Sequence, residues 1–391
     1  MDLKRIYNPP DHSFFLFGPR GVGKSTWIRT AAQPIFVVDL LKQDTFLHLQ
    51  RNTSFLEAQT AHLKKNDLIL IDEIQKLPEL LNEVHRLMED KKYKFALTGS
   101  SARKLKKSGV NLLAGRALTR KMFPFSIIET GNFFTIDQLI TYGSLPVVLR
   151  DMAFAEEVLS SYVYTYLQEE IKEEALVRRV EEFSRFLQIS AQYNGNIVNL
   201  EKVSRESGKS SKTIQAWYQI LVDTLILHRV DSYQPGFKVR EATHPKYFWF
   251  DTGVARVAAG LNAKDVDGFW NGFAFETMVL REILTYFEIQ QKKHKIFYYC
   301  IPGSGEIDFV VETRVKTINR PQQITTIEVK LSQKWKSEFE TPSRQMQKSA
   351  PECVQKMIGV YLGEERLTFS NFEVFPFRDF VKALHDQEIF S

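Results

Sequence analysis

The stretch from Phe14 to Thr26, FFLFGPRGVGKST, limits what this chain can fold into more than any other. Four apolar residues, Phe14 to Phe17, predict a buried strand. Gly18, Pro19, Arg20, Gly21, Val22, Gly23, Lys24 and Ser25 fit G-x-x-x-x-G-K-[S/T], and the chain continues from Thr26 as a helix. Strand, glycine loop and helix in that order turn successive backbone N–H groups inward. The helix N-terminus adds partial positive charge at the same point, so the loop suits a phosphate. Lys24 is placed for the β/γ-phosphates of ATP and Ser25 for Mg²⁺.

A second motif completes such a site. Asp67 to Glu73 gives four apolar residues closed by two carboxylates. Asp72, at a strand's C-terminal end, would hold Mg²⁺ opposite Ser25, and Glu73 would polarise the attacking water. Phe95 to Thr98 predicts another buried strand, running into Gly99-Ser100-Ser101. Thr98 and Ser100 are both candidates to sense the γ-phosphate. Ile35 to Asp39 predicts a further strand, and a polar helical segment follows around Thr53 to Lys64. Strands alternating with helices mean a parallel α/β sheet with ligand loops at the strand C-terminal ends.

At 391 residues two or three domains are expected. Hydrophobic content of 43%, with 13% aromatic, excludes disorder. Two cysteines, Cys300 and Cys353, are too few for a disulfide framework and point to a reducing, cytoplasmic compartment. Neither a signal peptide nor a membrane span is expected. Net charge is only +5, but Lys91 to Lys121 contains ten basic residues and no acidic one. That block, with Lys104, Lys106 and Lys107 at its centre, is either a solvated face or a contact surface for DNA phosphates.

Taken in order, GPRGVGKST, LILIDEIQKL, ALTGSSARKL, LLAGRALT and FPFSIIE resemble a widespread prokaryotic family of AAA+ ATPases. The resemblance covers essentially the whole chain. It implies a C-terminal domain of restriction-endonuclease-like fold and an arginine finger working in trans, hence a homo-oligomer, with a hexameric ring as the arrangement in view. Arg116 is the first candidate for that finger and Arg103 the second. Gly143-Ser144-Leu145-Pro146 resembles the family's Gly-x-x-Pro segment and closes an ATPase module over 1–150.

In the middle region, 151–235, Glu156 to Glu174 predicts a long helix. Val198 to Tyr218 has helix–turn–helix character, with Gly208 ending the first helix and Ser210 or Ser211 capping the second. Leu225 to Val230 then supplies a strand, so the unit is expected to be a winged helix. It serves either as a DNA reader, with Lys209, Ser211, Lys212 and Gln215 facing the duplex, or as a lid.

The C-terminal domain, 236–391, opens on Lys246 to Gly253, an aromatic strand ending in Asp-Thr-Gly, where Asp251 is expected to cap a helix. Further on, Glu276 lies on an apolar helix, Asp308 on one strand, and Glu328-Val329-Lys330 on another. Residues two apart on a strand share a face, so Glu328 and Lys330 point the same way. Asp308 and Glu328 around Mg²⁺, with Glu276 and Lys330 nearby, make the kit for phosphodiester hydrolysis and fit the PD-(D/E)-x-K pattern. Arg344 to Met357 predicts a helix. The expected activity is ATP hydrolysis that remodels or translocates DNA, branched DNA such as four-way junctions included. The rivals are a nucleotide-gated switch acting on a protein partner and an ATP-gated defence nuclease.

Overall fold

The computed structural model describes residues 3–103, 105, 113–167, 180–234, 244–264, 266–301 and 305–390. Strand β1 (Phe14–Phe17) has every side chain buried. Successive side chains on a strand point to opposite faces, and β1 uses both. Phe14 and Leu16 join one hydrophobic cluster, while Phe15 and Phe17 join another with Ile69, Ile71, Phe95 and Leu97. A strand buried on both sides belongs inside a parallel sheet. With β2 (Phe36–Asp39), β3 (Leu68–Asp72), β4 (Lys94–Gly99) and β5 (Leu118–Lys121), it forms a five-stranded sheet ordered β2-β3-β4-β1-β5. All four pairings are parallel, and Asp39 pairs with Asp72 while Phe17 pairs with both Gly99 and Lys121. The C-terminal ends are therefore level, and the loops after β1, β3 and β4 emerge along one edge. The expected α/β fold with a parallel sheet at the N-terminus is present.

A second sheet has eight strands, ordered β12-β13-β11-β10-β9-β8-β6-β7. These are β6 (Leu227–Ser232), β7 (Lys246–Trp249), β8 (Lys295–Ile301), β9 (Gly305–Arg314), β10 (Gln323–Lys330), β11 (Val354–Tyr361), β12 (Leu367–Phe369) and β13 (Phe372–Pro376). β6 pairs antiparallel with β7 and parallel with β8, so strands on either side of residue 235 share one sheet. The 22-residue helix Gly268–Ile289 packs on β10.

The first hydrophobic cluster does not stop at a domain border. It runs from Phe14 through Tyr218, Trp249 and Phe275 to Val360 and Phe375. Buried polar groups stitch the same seam. The Arg378 guanidinium donates to Gly131 O at 2.5 Å and Phe134 O at 2.8 Å. Ile127 N donates to Glu282 Oε1 at 3.1 Å. Among the described residues no helix is long and apolar enough to cross a membrane.

One helix expectation is met over its described part and another needs correction. Of the helix expected over Glu156 to Glu174, the described part is Ala155–Ser161, followed by a π-helical turn at Tyr162–Leu167, and residues 168–179 lie outside the described residues. The helix expected over Arg344 to Met357 is only Thr341–Ser349. Pro351 has no amide hydrogen to continue it, and the largely buried run Val354–Tyr361 pairs parallel with β10 instead.

Glu282 carries a pH signature. Burial pushes its carboxyl up to about 7, against the pull of the Arg281 charge and of the Ile127 amide. A carboxyl raised on folding favours its neutral form. Its contribution to stability is therefore full below the ordinary value of 4.5 and lost as pH rises through about 7. Glu282→Gln should leave stability near pH 4 unchanged and raise it at pH 8, on the order of 2 kcal/mol, in urea unfolding curves. Equal curves for variant and parent across that window would refute the assignment.

Candidate functional site

The loop after β1 takes its shape from glycines. Gly21 and Gly23 have φ of 82° and 90°, in the left-handed region that side chains resist. Gly23 precedes the short helix Lys24–Trp27, and Trp27 N donates to Gly23 O at 2.9 Å. Val22 is buried beneath the loop. The Lys24 ammonium, itself buried, donates to Gly18 O at 2.8 Å and Pro19 O at 3.1 Å. It thus lies over the loop that the motif predicts for phosphate.

Ser25 Oγ donates to Asp72 Oδ1 at 2.7 Å. The same carboxylate oxygen accepts from Thr98 Oγ1, and Thr98 Oγ1 in turn accepts from Glu73 N at 3.0 Å. Glu73 has φ 62° and ψ 46°, a left-handed conformation unusual for a residue with a side chain. Backbone strain of this kind, of order 1–3 kcal/mol, concentrates at functional sites. Gln75 Nε2 holds the Glu73 carboxylate at 2.5 Å. Of the two candidate sensors, Thr98 links the Asp72 carboxylate to the Glu73 backbone amide. Ser100 is buried beside it and makes no hydrogen bond to Asp72 or Glu73 among the described residues.

These groups border a cavity of about 740 Å³, in the size range of small-molecule and cofactor sites. Arg20, Gly21, Gly23, Lys24, Ser25 and Thr26 line one wall, with Glu73 beside them. The rest of the lining includes Leu3 to Arg5, Phe125 and the helix Pro146–Arg150.

Arg5 escaped the sequence reading. Its guanidinium donates to Glu129 Oε2 at 2.9 Å and to Val22 O inside the loop, and it lies 4.0 Å over the Phe125 ring. Glu129 also accepts from Ile6 N and Ser126 N, both at 2.9 Å. A legible signal was present: Ser126-Ile-Ile-Glu129 is a capping box, which both side chains complete.

The finger candidates sit away from the cavity lining. Arg116 pairs with Glu89 on the surface, and its hydrogen bond and charge hold the Glu89 carboxyl below the ordinary range. Arg103 lies 3.6 Å from Asp223. In the basic block, Lys91, Lys92 and Lys94 find Glu57, Glu89 and Asp11 at 3.3, 3.7 and 2.6 Å. Acidic partners outside the run, Glu89 just before it and Glu57 and Asp11 far from it, thus oppose part of what looked like an unopposed positive stretch. Lys104, Lys106 and Lys107 lie outside the described residues.

The C-terminal carboxylates do come together. β9 and β10 pair antiparallel, and Asp308 Oδ2 accepts from Val329 N at 2.7 Å. Lys330 Nζ lies 2.5 Å from Glu328 Oε1 and 3.4 Å from Asp308 Oδ2. Glu276 faces a lysine that the sequence reading missed: Lys246, 2% exposed, lies 3.8 Å from Glu276 Oε2 and pairs with Glu306. Burial pushes the Glu276 carboxyl up to about 8, with the Asp308 charge adding to it, and pushes Glu328 well above the usual range for the same two reasons. Burial works against the Lys246 ammonium, but Glu276, Glu306 and Asp308 outweigh it and its pKa lies above the ordinary lysine value. Among the described residues no three His, Cys, Asp or Glu side chains gather as a ready metal-binding group.

With this geometry in hand, comparison with known proteins is direct. Residues 11–131 match the family model of an AAA domain. Residues 134–265 and 271–380 match two further models, each described as a domain of unknown function. An uncharacterized protein of Haemophilus influenzae is 27% identical over 208 residues, which cover 49% of this chain and 52% of that relative. The match thus spans about half the relative's length. An AAA domain supports nucleotide binding and hydrolysis as the general activity of the N-terminal module.

The two motifs have separable roles. Lys24→Ala should weaken nucleotide binding roughly ten- to a hundredfold, the loss of a charged contact to phosphate. Glu73→Gln should leave binding within about twofold and lower kcat by roughly 10²–10⁴, as expected for a lost general base. Equilibrium titration with a fluorescent ATP analogue and steady-state phosphate release measure the two effects. Parental turnover in both variants would dismantle the site.

Proposed function

We propose that this chain hydrolyses ATP at the cavity between β1 and the helix Pro146–Arg150, and uses it to remodel or translocate DNA as a homo-oligomer. The observation that carries the ATP site is the 2.7 Å contact of Ser25 Oγ with Asp72 Oδ1, beneath Lys24 and beside Glu73. A hydroxyl and a carboxylate that close, at the phosphate loop, fit a magnesium ion. Ser25 would hold it directly and Asp72 through water, and the ion supplies charge neutralisation at the phosphates. Glu73, oriented by Gln75 and by its backbone bond to Thr98, directs water at the γ-phosphate.

Two features support the DNA reading and a third the homo-oligomer. The helices Leu200–Ser207 and Ser211–Asp223 meet at Gly208, with φ 68°, and lead into β6 and β7, an arrangement that suits a winged helix. Ser210 caps the second helix by accepting from Thr213 N at 3.2 Å. Lys212 is exposed at its start, whereas Lys209 is engaged with Glu182 at 2.6 Å. The succession of the long helix, antiparallel β8-β9-β10 and parallel β11 suits a restriction-endonuclease-like domain, with Asp308 on β9 and Glu328 and Lys330 on β10, two interior strands. Arg116, exposed on the surface, is accessible to a neighbouring subunit's nucleotide.

In the C-terminal cluster Asp308 and Glu328 would supply two carboxylates to a divalent cation, with no third His, Cys, Asp or Glu gathered beside them as a ready ligand among the described residues. Glu276 and Glu306 lie by Lys246, Asp308 and Glu328 by Lys330, and Glu276 Oε2 and Glu328 Oε2 are buried without a hydrogen-bond donor. A second reading, a nucleotide-gated switch that acts on a protein partner, draws on Lys246. A buried ammonium on the Glu276 side already supplies a cation there.

DNA decides between the two. Phosphate release should rise severalfold with duplex, single-stranded or four-way DNA, and DNA affinity should fall by about 10²-fold or more between about 50 and 200 mM salt. Magnesium-dependent nicking that disappears in Asp308→Ala would add cleavage. ATPase turnover indifferent to all three DNAs, with no binding at low salt, would leave the switch.

A further inference from the structure

The helix Pro146–Arg150 lines the nucleotide cavity, and what holds it in place comes from far along the chain. The turn before it, Gly143-Ser144, is gripped by Asp251. Ser144 N donates to Asp251 Oδ2 at 2.7 Å, and Val254 N donates to Oδ1 of the same carboxylate at 3.1 Å. Asp251 has no exposed surface. Gly143 has φ 73°, and a Cβ there would collide with the Asp251 carboxylate. A Cβ on Gly253 would in turn collide with the Tyr142 carbonyl. Backbones approach here as closely as glycine allows.

Neighbours of Asp251 finish the seat. Thr252 Oγ1 donates to Leu139 O at 2.7 Å and Arg256 Nε to Thr141 O at 2.8 Å, both near the end of the helix Ile136–Tyr142. On its other side Ser144 brackets the cavity residue Phe125. Its carbonyl accepts from Phe125 N at 3.0 Å and its hydroxyl donates to Phe125 O at 2.7 Å. One carboxylate therefore ties two parts of the cavity lining, Phe125 and Pro146–Arg150, to the strand β7 of the second sheet.

We propose that Asp251 is a positioning residue of the nucleotide site: it sets that part of the cavity lining from outside the AAA domain. The inference rests on the ATP reading of that cavity. Because binding free energies are reciprocal, nucleotide must also tighten the seat of the helix Thr252–Ala258 on the Gly143 turn.

The test uses the full chain. Asp251→Asn keeps the size and one acceptor oxygen but presents an amide N–H to one of the two donors it faces. It should raise KM for ATP and the Kd of a fluorescent ATP analogue about tenfold, with kcat within about twofold, equivalent to one lost hydrogen bond to a charged group. Arg378→Met, at the same seam but on the Gly131 and Phe134 carbonyls away from the turn, should lower the melting temperature without moving KM. In the parent, the ATP analogue should slow amide exchange at Ser144 and Val254. Should Asp251→Asn bind nucleotide like the parent, or shift only melting as Arg378→Met does, the positioning role is overturned while the ATP site stands. Unchanged exchange at Ser144 and Val254 in a parent that binds nucleotide overturns it equally, even if the variant does not fold. A parent that binds no nucleotide overturns both readings.

Discussion

Ionisable side chains aimed at backbone atoms hold this molecule together. Asp251 accepts from Ser144 N, Glu282 from Ile127 N, and Arg256 and Arg378 donate to carbonyls of Thr141, Gly131 and Phe134. Every one of these side chains belongs to the C-terminal part, and every partner belongs to residues 127–144. A buried charge without a partner costs several kcal/mol, and an orphaned backbone group about 1–3. Separating the two parts would expose both at once. Because the partners are backbone atoms, the seam is specified by chain trace more than by complementary side chains, with Gly143 the position where an added Cβ would meet the Asp251 carboxylate. The AAA domain and the second sheet accordingly share one hydrophobic cluster and do not behave as beads on a string.

The same seam explains what the sequence could and could not reveal. The phosphate loop was legible because its chemistry is local: strand, glycines, lysine and serine lie within thirteen consecutive positions from Phe14 to Thr26. The β3 carboxylates were legible for the same reason, and four of the five strands of the first sheet announce themselves as apolar runs. β5 does not. It is an edge strand, Leu-Thr-Arg-Lys, largely exposed, and nothing in its composition separates it from a loop. Arg5 and Lys246 were missed because their partners are far away, 124 positions on at Glu129 and 60 positions on at Glu306. The positive run from Lys91 to Lys121 misled in the opposite sense. Composition counted its charges, but Glu57, Glu89, Asp11 and Asp223, which oppose them, lie elsewhere in the sequence.

The C-terminal cluster has an unresolved charge balance that its own side chains cannot close. Four carboxylates meet two ammonium groups, leaving two negative charges if all are ionised. Protonation is one way to settle them, and the raised Glu276 and Glu328 carboxyls show the site leaning that way. A divalent cation is the other, and it competes with those protons for the same oxygens. Lys246 divides the cluster, drawing Glu276 and Glu306 to itself and leaving Asp308 and Glu328 to Lys330. Occupancy by any cation therefore depends on where the Lys246 ammonium stands.

That position is fixed by β7. The strand runs from Lys246 to Trp249, two residues before Asp251, so at about 3.3 Å per residue the carboxylate cluster and the cavity seat are roughly 16 Å apart along a single extended segment. Its four strand residues are all buried, Tyr247 stacks on Tyr218 with ring centroids 4.2 Å apart, and Phe248 lies against Phe309. A strand packed on both faces has little room to flex between its ends, since interiors this dense move as bodies rather than by local bending. Phe250, the one residue between strand and cap, is itself buried and its amide is bonded to Ile226 O at 3.0 Å, so the strand and the Asp251 cap are held as one packed segment.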